Sequence, residues 1–331
     1  MFAHVDPAMV PLAIFFFFCS LIGILGNATM IACSIASKRL RSPCHFLISA
    51  TCLIDAFHIS GQFPFCYLLF AGLKYPQSDC FFILSVPIVG LTAGGPLILA
   101  MGIDRFIAVK YPSSYRYYQL SPIKYISIQL IIPVLYATTF LVYGYIERDT
   151  DPANAIVCAN PLALNGASFQ WYNYTSAVIS IFVFFLYFSV YILLKFNKTS
   201  SRMNKVFRSI AVTVTFVLCG WVTTTIANST SYSVTDDLKV AHLIQTYAGV
   251  TVNFAAASNV FVFYAINSEY RDVINSMFGR GKHVGVTHTD TSTTHEVGDR
   301  SIARSRSISI PYFPKKFLSS STLSSRRMTL V

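Results

Sequence analysis

The sequence predicts an all-α membrane protein, a bundle of seven transmembrane helices with a short amphipathic helix after the seventh span. Three observations carry this prediction. The 331 residues are 54% hydrophobic and only 12% charged, with a mean hydropathy of +0.55, a composition that a water-soluble domain does not tolerate. Seven apolar stretches are each long enough to cross a hydrocarbon core of ~30 Å as a helix. Between them, Lys and Arg concentrate in alternate loops.

The spans are Met9–Ala36, Cys44–Phe70, Phe81–Ala108, Tyr125–Ile146, Trp171–Leu194, Ser209–Thr230 and Leu238–Ile266. The first, third and fifth loops carry 3, 4 and 5 basic residues, the third counted from Arg105 at the end of its span to Lys124, and the tail carries 10. The second and fourth loops carry one each (Lys74, Arg148), and the sixth one, Lys239, at the start of the seventh span. The positive-inside rule therefore predicts an extracellular N-terminus (residues 1–8) and a cytoplasmic tail, by 22 basic residues against 3. The formal charge of +11 thus reflects topology rather than a phosphate-binding patch, and no nucleic-acid partner is expected. No cleavable leader precedes the first span, which is expected to insert itself.

Taken in order, the first span holds Gly26-Asn27, a small residue and an amide that needs an interhelical partner in lipid. The second holds Asp55, the one carboxylate deep within a span. There Asp costs roughly 2.5–3.5 kcal/mol unless it faces the bundle interior. His58 and Gln62 extend a polar stripe from it at i+3 and i+7. The third span contains Pro87 and Gly94-Gly95-Pro96, expected to bend it, and ends in Asp104-Arg105. The fifth is crowded with aromatics (Phe182, Phe184, Phe185, Tyr187, Phe188, Tyr191), expected to pack and to face lipid.

In the sixth span, Thr225 and Asn228 lie one and two turns outward from Trp221 on one face. The seventh contributes Gln245, Asn253 and Asn259. With Gln62 and Leu91, the residues Trp221, Thr225, Asn228, Gln245 and Asn253 are the candidate pocket lining. Ser268–Phe278 repeats apolar residues at i, i+3, i+4, i+7 and i+8, with Ser268 as expected N-cap and Gly279 as stop. From 279 to 331 the chain is polar, rich in Ser and Thr, and expected to be a disordered cytoplasmic tail. Its Ser residues beside Arg suit a kinase, and Thr329-Leu-Val331 could enter a PDZ groove.

Of eight cysteines, only Cys80 and Cys158 fall on the expected outer side, so one disulfide is the natural inference, with two free thiols the alternative. Asn173-Tyr-Thr and Asn228-Ser-Thr are sequons near that side, although Asn228 cannot easily serve both as glycan acceptor and as pocket lining.

The blocks Gly26-Asn27, Leu40-Arg-Ser-Pro-Cys-His, Asp55, Cys80, Gly102-Ile-Asp-Arg, Cys158 and Ser258-Asn-Val-Phe-Val-Phe-Tyr together resemble nematode serpentine chemoreceptors of the srsx-like type, a branch near the rhodopsin-like G-protein-coupled receptors. The resemblance spans residues 9–278. It implies a receptor of a sensory neuron, in the plasma membrane or its cilium, that binds an extracellular small molecule and activates a heterotrimeric G protein. Kinase, arrestin and PDZ-type proteins would meet its tail.

Asp104 and Arg105 take the coupling role by resemblance, and Asn27, Asp55, Trp221 and Asn259 the conformational switch. Cys219-Gly-Trp221 is similar to the family's Cys-Trp-x-Pro with a glycine inserted and the proline lost, so the glycine is expected to supply flexibility. Where amine receptors of that superfamily carry an aspartate, eighteen residues before Arg105, this chain has Pro87, which disfavours an amine ligand.

A neuropeptide or hormone receptor would share every motif. A transporter would need internal repeats or several intramembrane charges, neither of which the sequence shows. No metal-ligand cluster or nucleophile constellation points to an enzyme, and no cofactor is expected.

Overall fold

The structure, a computed structural model, describes residues 7–149, 155–196 and 201–279. The tail from residue 280, with its kinase and PDZ motifs, and the first six residues lie outside these. In chain order the helices are α1 (Val10–Ala36), α2 (Pro43–Ser60), α3 (Gln62–Ala71), α4 (Gln77–Ile83), α5 (Ser85–Lys110), α6 (Pro112–Leu120), α7 (Pro122–Glu147), α8 (Gly166–Phe196), α9 (Ser201–Val234), α10 (Leu238–Ile266) and α11 (Ser268–Met277). Seven spans are long and apolar enough to cross a membrane: α1, α2 with α3, α5, α7, α8, α9 and α10. The short helices α4, α6 and α11 lie between or after them. A two-residue antiparallel pairing joins β1 (Tyr75–Pro76) to β2 (Ala155–Ile156).

Burial follows the alternation a bundle in lipid requires. Phe182, Phe184, Phe185, Phe188 and Tyr191 on α8 stay exposed on the outer face, while Tyr187 turns inward at 7% exposure. The interior divides into an apolar cluster around Leu47, Leu97, Ile210 and Phe263 and a second around Cys80, Leu84, Ile88 and Tyr172. Half-buried Trp221 packs against both.

Several local expectations are corrected. The second span is not one helix: it breaks at Gly61, and a Cβ there would lie 2.0 Å from Asn160 Oδ1. Pro87 falls in the first turn of α5, where its missing N–H has no intrahelical partner to lose, so it is no interior breaker. Gly220 does not break the sixth span: α9 runs from Ser201 to Val234. A Cβ on Gly220 would meet the Val252 backbone at 3.0 Å, so the glycine lets α9 and α10 approach closely. The N-cap of α11 is Asn267, whose side chain accepts from Glu269 N–H, rather than Ser268. Gly279, at φ 68°, ends that helix as expected.

Candidate functional site

At one end of the bundle Cys80 and Cys158 are joined in a disulfide, with Cα atoms 5.1 Å apart. The bond ties α4 to the segment after α7, which dips into the bundle as a 3-10 turn, Asn160–Leu162. Gln77 Nε2 donates to Leu162 O at 2.7 Å and holds the turn down. Asn160, 2% exposed, donates from Nδ2 to the His58 carbonyl at 2.7 Å. It adds a second donor to a carbonyl that also accepts from Gly61 N–H at 3.4 Å, at the break where the helical ladder of the second span is interrupted.

Beneath this turn lies a cavity of about 50 Å3. All seven residues expected to line a pocket reach it: Gln62, Leu91, Trp221, Thr225, Asn228, Gln245 and Asn253. The sequence reading missed Asn160, Phe169, Tyr172 and Asn173, and gave His58 only a place on the polar stripe. Trp221 stands between His58 and Tyr172, with ring centroids 6.2 Å from each. Among the described lining residues there is no Asp, Glu, Lys or Arg. A second cavity of about 530 Å3 shares Phe169, Asn173, Asn228 and Gln245 with the first and forms a vestibule at the disulfide end.

Both sequons fall on helices at this wall. Asn228, 7% exposed, donates to Asn173 Oδ1 at 3.3 Å, and both side chains line the cavities. Amides engaged with one another inside the wall are poorly presented for glycosylation, and the geometry supports the lining role instead.

Toward the middle of the bundle, Asn259 Nδ2 donates to Asp55 Oδ2 at 2.7 Å and to Asn27 Oδ1 at 3.0 Å. Asn27 Nδ2 in turn donates to Ala256 O at 3.0 Å. Three of the four expected switch residues thus form one network joining α1, α2 and α10. Trp221 stands apart from it, at the cavity.

At the other end of α5, Arg105 Nε donates to Asp104 Oδ2 at 2.9 Å, and an Arg105 terminal nitrogen also contacts that oxygen. A charged pair at the end of an apolar span would be least costly at the membrane–water interface. Instead Asp104 is fully buried and Arg105 is 6% exposed. The cover is α6, whose Tyr115 accepts from Arg105 at 2.8 Å and packs edge-on against Tyr125. Burial pushes the Tyr115 phenol well above its ordinary pKa, opposed by the Arg105 charge, so the hydroxyl stays neutral. Only the Tyr-rich composition of residues 111–118 hinted at this partner. Across the same end, α11 seats fully buried Tyr270 against Phe263 and His45, at 5.2 and 5.7 Å between centroids.

A seven-helix membrane bundle with a polar internal cavity at its disulfide end and a buried Asp-Arg pair at the other defines the class of serpentine receptors. Residues 20–278 match the family model described as serpentine type 7TM GPCR chemoreceptor Srsx, and the chain belongs to that family. No curated protein matches the chain.

Proposed function

We propose that this protein is a chemosensory receptor of the plasma membrane, N-terminus outside, that binds a small extracellular chemical and activates a heterotrimeric G protein. The observation that carries the reading is the uncharged polar cavity, adjoining the vestibule and lined by Trp221. Trp221 packs against both interior clusters, so a ligand that moves its indole would disturb the apolar packing on either side. The Asn27–Asp55–Asn259 network and the covered Arg105 are the groups such a disturbance would rearrange on the way to a G protein.

A cavity of about 50 Å3 admits a few water-sized groups, which suits a small chemical or one moiety of it better than a folded hormone. Kinase, arrestin and PDZ-type partners would engage the tail, and a sensory cilium is the compartment consistent with the chemosensory family. The test is expression of the full chain with a promiscuous G protein against pooled volatile, water-soluble and peptide libraries. A response confined to peptides would replace this reading with a neuropeptide receptor, and solute movement without any G protein would replace it with a transporter.

A further inference from the structure

The inner cavity is unusual in what its polar groups leave unused. On α10, Asn253, 2% exposed, spends its Nδ2 on its own helix, donating to Gly249 O at 2.8 Å. Because a backbone carbonyl can only accept, this contact fixes the amide orientation and leaves Oδ1 as the spare acceptor of a residue that lines the cavity. That oxygen has no partner among the described residues. Gln245, 1% exposed, donates from Nε2 to Ser231 Oγ at 2.8 Å, and its Oε1 is likewise unpartnered. Asn228 repeats the pattern, its Nδ2 turned to Asn173 and its Oδ1 without a partner. Facing them from α2 is His58, 6% exposed, with neither ring nitrogen bonded.

Buried amide carbonyls left without donors are costly, and native structures keep few. Three converging on one cavity mark a place where donors come from outside the chain. Their spacing adds a length. Gln245 and Asn228 sit at the wall shared with the vestibule, whereas Asn253 lies two turns deeper on α10, ~12 Å along the axis at 1.5 Å per residue. Between the two levels the opposite wall is apolar or aromatic: Leu91, Tyr172 and Trp221.

We infer that the cavity together with the vestibule that adjoins it recognises an uncharged, elongated small molecule carrying two separated hydrogen-bond donors on an otherwise apolar frame. The inner donor serves Asn253 and His58, and the outer donor serves Gln245 and Asn228. A cationic amine would be the stronger donor, but the described lining offers no carboxylate to neutralise it, so its desolvation goes uncompensated. A carboxylate meets three amide oxygens and at most one neutral N–H, on His58, which is too little to offset its desolvation.

This inference rests on the ligand-cavity reading above and is tested without any G protein, so that loss of coupling and loss of recognition are separate results. The probes are α,ω-alkanediols from butane-1,4-diol to decane-1,10-diol, with their dimethyl ethers, the corresponding diamines and the corresponding diacids. The readout is the thermal stability of the purified full-length chain in lipid nanodiscs. Diols should raise the midpoint with an optimum at one chain length, and the ethers, diamines and diacids should not.

Asn253→Leu removes the inner acceptor while breaking only a bond within its own helix. It should weaken diol binding roughly fivefold, the effect of one neutral hydrogen bond. Gln245→Met, which keeps the side-chain volume, should do the same from the outer end. If Asn253→Leu fails to fold, the diol-against-ether comparison on the unaltered chain still decides the matter. Ethers equal to diols, a preference for diamines or diacids, or no shift with any diol would each overturn the inference.

Discussion

Asn259 donates through a single amide nitrogen to both Asp55 and Asn27, so the network has one shared donor and little redundancy. Asp55→Asn keeps an acceptor of the same shape and should reach the cell surface with altered signalling. Asp55→Leu removes the acceptor, leaves Asn259 underpaired in lipid, and should lower surface level further, by an amount corresponding to about 1–3 kcal/mol. Surface labelling beside a G-protein readout checks this, and equal, normal behaviour of both variants would show that the carboxylate is merely tolerated.

Arg105 calls for a different expectation from the one its motif alone suggests. Asp104 has no water to reach, so Arg105→Ala strands a buried carboxylate, a loss of about 3–5 kcal/mol, and should reduce expression as well as coupling. Arg105→Lys should restore part of the surface level with weak coupling. Tyr115→Phe deletes only the acceptor on α6 and should raise ligand-independent signalling while leaving surface level near normal. Unchanged basal activity in Tyr115→Phe would remove Tyr115 from the restraint.

Among elements, what was legible and what was not divides by range. The spans, the amphipathic α11 and the seven lining residues follow from apolar length and from i, i+3/i+4 spacing, which are local properties. The contacts of the glycines were not legible because they depend on what stands opposite. Gly220 is a contact with the Val252 backbone, and Gly61 is a seat for a side chain about a hundred residues away. Asn160 and Tyr115 were missed for the same reason: each sits in a connecting segment with no periodicity to read, and matters only through a distant partner. At Gly220 the physical account gives a direction. Gly220→Val must push α9 from α10, an overpacking of about 1–3 kcal/mol, and should lower surface level. Normal expression of that variant would show that the seam can give.

For the molecule as a whole, the loop charges fix an expectation of orientation. A tag before Met1 should be antibody-accessible on intact cells and one after Val331 only after permeabilisation. The reverse result would place the disulfide end of the bundle in the cytosol and deny the cavity its ligand. The seat of Asn160 at Gly61 also sets a timetable for biogenesis. The second span leaves the ribosome with its break already encoded, yet the amide that packs against Gly61 and adds a bond to the His58 carbonyl is synthesised about a hundred residues later. Until the second loop crosses the bilayer and Cys80 finds Cys158, the break in the early hairpin lacks the side chain that seats on it, a feature that quality control in the endoplasmic reticulum can detect. A pulse of reductant during synthesis should therefore retain the chain there, and the same pulse applied after export should leave it at the surface.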